Sequence, residues 1–403
     1  MHAAEPAPPS VSASTGEGPA GASHRRGVLA GLESARITGA SGSGDRIASV
    51  DALRGFDMFW IMGGDWIVTS LHLAMGTSTT AFLAYHMDHA EWEGFRFYDI
   101  IMPLFLWLAG VSIPFAYSKR LSRTNSKAAL WPQILKRVAI LWILGMAVQG
   151  GLLTYDPAQF SLFSNTLQAI AVGYLGATIL ALYLPVRIQL LVTGVLMAVF
   201  WWVMENVPVP GVGAGFHEPD LNIALWIDMA VLGRFQDGTN YTWILSSMNF
   251  VATVMLGVFA GYLLRSGLGA YRKVLALAVA GAALVCLGLL WSGWHPLIKQ
   301  LWTGSFVLFS AGLCFLLLGV FYLVIDVWHV AWWAKPFMII GANSIVAYVA
   351  WHLFDFGLVA DVFLAPLETK VGDWWRFVHD VGATLVLFWI LALMHRHRFF
   401  VKI

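Results

Sequence analysis

Residues 86–107 read HMDHAEWEGFRFYDIIMPLFLW, with His86, Asp88 and His89 just ahead of a long apolar run. Titratable side chains beside a membrane span are costly, so they invite a chemical reading. A histidine with a carboxylate to orient its ring can take a proton from a nucleophile, or accept a group itself. It can also ligate a metal, but H-x-D-H on a loop matches no strong ligand spacing, and no metal is expected here. Interfacial decoration is the plain reading of His86 and Asp88. His89 is the candidate base or nucleophile, and Asp65 the carboxylate that could orient it.

Asp65 lies in ASVDALRGFDMFWIMGGDW, which starts at Ala48. Arg54 and Asp65 are eleven residues apart. On an unbroken helix they differ by about 20° in azimuth and share a face. Their separation along the axis is roughly 16 Å. One face then carries a cation near one membrane surface and a carboxylate at or beyond the middle. The plainer reading pairs Arg54 with Asp57 and leaves Asp65 solvated. Other polar residues sit in or beside apolar runs: Asn165 and Gln168 in NTLQ, Trp302, Thr303 and Ser305 in LWTGSF, Asn343 in GANS, and His352. Each could be ordinary interhelical glue. Together they resemble the lining of a passage through a bundle.

The elements that must position these groups are membrane helices. The chain is 59% hydrophobic and 12% charged, against about 25% charged in soluble domains. Its apolar runs are continuous rather than alternating, which points to an all-α, polytopic membrane helix bundle. About ten transmembrane helices are predicted, near 52–74, 98–117, 133–153, 165–184, 188–204, 247–264, 273–292, 303–325, 337–354 and 379–395. Residues 1–48 are rich in Ala, Gly, Ser and Pro. They predict a disordered cytoplasmic tail without an apolar stretch of signal-peptide length, ahead of a transmembrane domain over 49–403. A net charge of +1 gives no argument for nucleic acid. Cys286 and Cys314 fall in apolar runs and read as buried hydrophobes.

Lys and Arg gather before the first span, at 119–137, at 265–273 and after residue 395. In a ten-span chain these segments share one side, which the positive-inside rule makes cytoplasmic. Both termini are then cytoplasmic. His89 faces the far side, the periplasm if the membrane is a bacterial inner membrane.

Five stretches in order, RIASVDALRG, HAEWEGFRFYDIIMPLFLWLAGVSI, NTLQAIAVGY, LWTGSFVL and GANSIVAYVAWH, resemble the heparan-α-glucosaminide N-acetyltransferase family of transmembrane acyltransferases. The resemblance runs over roughly 46–403. It leaves out the N-terminal luminal region and helix of the animal enzyme. It implies transfer of an acetyl group from cytosolic acetyl-CoA to a sugar amine or hydroxyl across the membrane, with His89 at the position of the catalytic histidine. Asp65 stands at an asparagine position. Arg54, Asn343 and Gln168 are then expected at the cofactor. Asp57, Asp99, Asn165, Trp302, Thr303, Ser305 and His352 are expected to line the site. The family's L-Q-R reads LQA here, with Ala169 at the arginine position. The implied partners are the lipid bilayer, acetyl-CoA and a periplasmic glycan, with a homodimer as a further possibility. The competing reading of the same residues is a secondary transporter or permease for a small anion or sugar.

Overall fold

In lipid a backbone has no polar partner but itself, so long apolar runs coil into helices. The computed structural model describes residues 32–33, 35–36, 47–124 and 126–401, and no strand occurs among them. Most of the tail predicted over 1–48 lies outside these residues. Its described part docks: Leu32 and Ala35 are buried, and Glu33 Oε2 accepts the amide of Val186 at 3.0 Å.

Helices of eight residues or more are numbered along the chain. The first third holds α1 (Ala48–Phe59), α2 (Asp65–Met75), α3 (Ser78–His86) and α4 (Ile101–Thr124). The middle holds α5 (Trp131–Val148), α6 (Thr166–Tyr183), α7 (Val186–Asn206), α8 (Ile223–Leu232) and α9 (Ser247–Arg265). The last third holds α10 (Ala270–Trp291), α11 (Gly304–Phe321), α12 (Lys335–Ala342), α13 (Ser344–Leu353), α14 (Phe356–Leu364) and α15 (Trp375–Arg396).

Eight helical stretches among the described residues are long and apolar enough to cross a membrane, nine if α12 and α13 count as one span bent by 76°. This is a multi-pass helical membrane protein. The first predicted span, 52–74, is not among these nine, because it is broken. The π-turn Trp60–Gly64 separates α1 from α2, with Met62 and Gly63 off helical angles and Gly63 at φ 108°. A residue with a Cβ resists that angle. Thr384 Oγ1 shares its one proton between the carbonyl of Asp380 at 2.9 Å, in its own helix, and that of Met62 at 3.3 Å, in the break.

Helices α4 and α9 are buried along most of their length and form the centre. At their crossing a Cβ on Gly110 would lie 2.0 Å from the carbonyl oxygen of Val254, and one on Gly257 1.9 Å from that of Trp107. The backbones touch there, and only glycine permits it. α10 and α5 are peripheral and present Leu275, Val279, Leu290 and Ile143 outward, as a lipid-facing surface requires.

Candidate active site

The loop between α3 and α4 carries His89, and a short turn fixes it. Phe97–Ile100 forms a 3₁₀ turn leading into α4, and Asp99 Oδ2 caps it by accepting the amide of Arg96 at 2.9 Å. The same oxygen accepts the amide of Ala90 at 3.1 Å, which draws the start of the loop back onto the helix. The other oxygen, Oδ1, lies 2.8 Å from His89 Nδ1. Asp99 is buried, whereas the His89 side chain is 39% exposed.

The ring therefore pairs with Asp99, and Asp65 is not its partner. Asp65 opens α2, beyond the break, and lies beside the hydroxyl of Tyr98, whose ring is 5.0 Å from that of His89. The expected common face of Arg54 and Asp65 fails for the same reason: Gly63 interrupts the helix between them. The expected pairing of Arg54 with Asp57 fails too. Arg54 lies 3.5 Å from Asp51 and donates to Ser112 Oγ at 2.8 Å. Asp57 is fully buried, lines neither of the two cavities described below, and has no hydrogen-bond partner among the described residues.

Lys299 completes the cluster. Its Nζ lies 2.9 Å from His89 Nδ1, 3.3 Å from Nε2 and 3.4 Å from Asp99 Oδ1. A carboxylate only accepts, so Nδ1–H belongs to Asp99. The Lys299 ammonium is then left with two long contacts, to Asp99 Oδ1 and to Nε2. Burial pulls Lys299 down to about 8 against the opposing pull of Asp99. The ammonium thus loses its proton at a far lower pH than a solvated lysine does.

In the sequence Lys299 is a lone cation in a loop otherwise poor in Lys and Arg. What marks it is the stretch that follows. Thr303 Oγ1 donates to the carbonyl of Pro296 at 2.8 Å and accepts the amide of Ile298 at 3.2 Å. Ser305 Oγ reaches the Pro296 carbonyl at 3.0 Å. Trp302, at φ 54°, donates its indole N–H to Thr253 at 3.0 Å and accepts from Asn249 at 2.7 Å. Trp302, Thr303 and Ser305 line neither cavity; they tie down the loop that presents Lys299. The loop also pairs with the His89 loop, because Gly94 donates to the carbonyl of Leu297 at 2.9 Å.

His89 and Lys299 open onto a cavity of about 310 Å³, shared with Tyr98, Asn165, Tyr241 and His352. His352 Nδ1 is 2.8 Å from the carbonyl of Tyr348, which leaves Nε2 as an acceptor. Asn165 caps α6 through its Oδ1 and donates to the carbonyl of Gly145 at 2.7 Å. A second cavity of about 480 Å³ carries Arg54, Ser112, Arg137 and Ser344. Three helices line both. On α4 Ile101 faces the first cavity and Ser112 the second, on α6 Thr166 and Ile170, on α13 His352 and Ser344. Eleven residues of helix separate Ile101 from Ser112, about 16 Å. The two chambers are stacked along the bundle.

Gln168 and Asn343, expected at a cofactor, line neither chamber. The amide of Gln168 accepts from Ser164 N at 2.8 Å and donates to the carbonyl of Leu162 at 2.7 Å. Asn343, at the bend between α12 and α13, donates to the carbonyl of Phe399 at 3.1 Å and accepts from Val401 N at 3.0 Å. Both amides are spent on backbone. Arg137 is the cation that joins Arg54 at the second chamber; in the sequence it is one of the basic residues of 119–137. His86 lies apart, its ring against Phe82 and Tyr85.

These features define a polytopic helical membrane protein with a His–Asp–Lys cluster in one of two stacked chambers. The family model for the heparan-alpha-glucosaminide N-acetyltransferase catalytic region matches residues 46–301. The chain belongs to that family. It is similar to heparan-alpha-glucosaminide N-acetyltransferase of Homo sapiens, 24% identical over 384 residues, covering 79% of this chain and 56% of the human protein. The protein of the same name from Mus musculus is 24% identical over 387 residues, covering 79% and 57%. The chain thus spans little more than half the length of these relatives.

Proposed function

We propose that the chain is a transmembrane acetyltransferase. Its donor is acetyl-CoA, held from the Arg54 side, and its acceptor is an amine or hydroxyl of a sugar on the His89 side. The observation that carries this reading is the His89–Asp99–Lys299 cluster in one chamber, stacked on a second chamber with two guanidinium groups. Arg54 and Arg137 suit the anionic end of the donor, since guanidinium pairs with phosphate through a planar fork of donors. The shared walls of α4, α6 and α13 suit an extended arm that reaches from one chamber to the other. The Lys and Arg bias supports a cytoplasmic Arg54 end, and so a periplasmic His89 in a bacterial inner membrane.

His89 acts as general base. With Nδ1–H given to Asp99, Nε2 carries the lone pair. It takes the proton of the acceptor as that atom bonds to the thioester carbonyl carbon. The carbon–sulfur bond then breaks, and the proton passes from Nε2 to the leaving sulfur. Asp99 stabilises the imidazolium between these events and holds the ring in place. Lys299 supplies positive charge beside the reacting centre, where the carbonyl oxygen becomes negative.

Broken spans such as those at Gly63 and Asn343 are also used by transporters. One experiment separates the readings. Vesicles receive labelled acetyl-CoA on the Arg54 side and a panel of amino sugars and neutral sugars on the other. Acetylated sugar, lost in His89→Ala, is the expected product. Sugar or anion flux without any acetylated product would overturn the enzyme reading.

A further inference from the structure

A second cluster of titratable groups lies behind the two loops and is used by none of the chemistry above. Glu205 ends α7, His217 sits in the loop that follows, and His295 sits in the turn after α10. One ligand atom from each lies within 4.8 Å of the other two. His295 is fully buried between Phe200 and Trp291, and neither of its ring nitrogens has a hydrogen-bond partner. His217 Nε2 and Glu205 Oε1 are also buried atoms without a hydrogen-bond partner. Four buried donor or acceptor atoms without a partner, on one buried and two partly exposed residues, need an explanation.

The spacing offers one. His217 Nε2 is 3.3 Å from Glu205 Oε1, and His295 Nδ1 is 3.8 Å from the same oxygen. Both are long for hydrogen bonds. Two ligands each about 2.1 Å from a tetrahedral zinc lie about 3.4 Å apart. We propose that Glu205, His217 and His295 form a binding site for one zinc-class divalent cation. Two imidazoles and one carboxylate are a known zinc donor set that leaves one position for water. The imidazoles disfavour magnesium and calcium, which prefer oxygen throughout. Glu205 and His217 keep side-chain exposures of 28% and 13%, so water and the ion can reach the site from that flank.

Its place in the fold gives it a task. Trp92 of the His89 loop donates its indole N–H to the carbonyl of His217 at 2.8 Å. His295 is four residues before Lys299 on the other loop. A bound ion would fasten both loops from behind and touch no reacting atom. This inference does not depend on the acetyl-transfer reading.

The test uses the full chain purified in detergent, stripped with chelator and titrated with zinc chloride or cobalt chloride. One zinc per chain is expected, with a rise in the thermal midpoint. The cobalt form should show the strong visible absorption of a four-coordinate site. Glu205→Gln and His217→Asn, at partly exposed positions, should each weaken zinc binding at least about tenfold. Failure of the wild-type chain to take up stoichiometric zinc would overturn the proposal, whether or not the variants fold. So would zinc uptake that is unchanged in the Glu205→Gln, His217→Asn double variant.

Discussion

Asp99 Oδ1 lies 2.8 Å from Nδ1 of His89, while its second oxygen caps the turn that starts α4. One carboxylate thus sets both the local backbone and the tautomer of the ring. This separates it from Asp65, whose contact with the cluster runs through Tyr98. Asp99→Asn should therefore lower transfer by about 10²–10⁴-fold, the usual worth of a positioned acid–base group. Asp65→Asn should cost far less. Steady-state rates of the two purified variants check this. Equal losses would return Asp65 to the centre.

On the proposed mechanism, Lys299 gives the reaction an alkaline limit. Its proton leaves at about pH 8, because burial outweighs the attraction of Asp99. The positive charge is present below that pH and is lost as pH rises through it. Transfer should fall over the same window. Lys299→Arg should move the fall to higher pH, since guanidinium keeps its proton. Lys299→Met should be slow and show no such limb. A pH profile of kcat/KM for the three proteins decides the matter, and an unchanged limb in Lys299→Met would dismiss Lys299 from the reaction.

Arg54 and Arg137 should act on donor binding rather than on chemistry. Each Arg→Ala change should raise the apparent KM for acetyl-CoA by about 10–100-fold, from roughly 1.5–3 kcal/mol for a charged hydrogen bond. The kcat at saturation should change little. A drop in kcat with KM held would place these cations elsewhere in the mechanism.

Orientation can be read without any assay of activity. Ser78, at the start of α3, and Ser126, in the loop after α4, are both exposed. Cysteine at Ser78 should react with an impermeant thiol reagent in intact bacterial cells, and cysteine at Ser126 only after lysis. The opposite pattern would invert the two chambers with respect to the membrane.

The helical bundle was legible because apolar runs of span length have few other solutions. Its breaks were less so. A Gly63–Gly64 pair reads equally well as a helix contact, and the positive φ at Gly63 appears only once Thr384 and the neighbouring helices are in place. His89 stood out as a histidine in a motif. Its partner did not, because sequence nearness on an assumed straight helix favoured Asp65, while Asp99 reaches His89 by folding a ten-residue loop back on itself. That Gln168 and Asn343 line neither chamber was illegible for a different reason. An amide bonds to backbone as readily as to a ligand, and composition does not show which. Lys299 carried no local signal, since its contact with His89 joins positions 210 residues apart.

The glycine crossing of α4 and α9 also has a mechanical meaning. Two backbones in contact leave no side-chain layer to slide, so that wall of the chambers is stiff. The chambers are also lined by α13, bent from α12 at Asn343, and by the first span, broken at Gly63, which contributes Arg54 to one chamber and Ile61 to the other. A widening of the chambers would therefore fall at these two breaks rather than at the glycine crossing. The turn that holds Asp99 is at the head of α4, on the stiff side of the chambers.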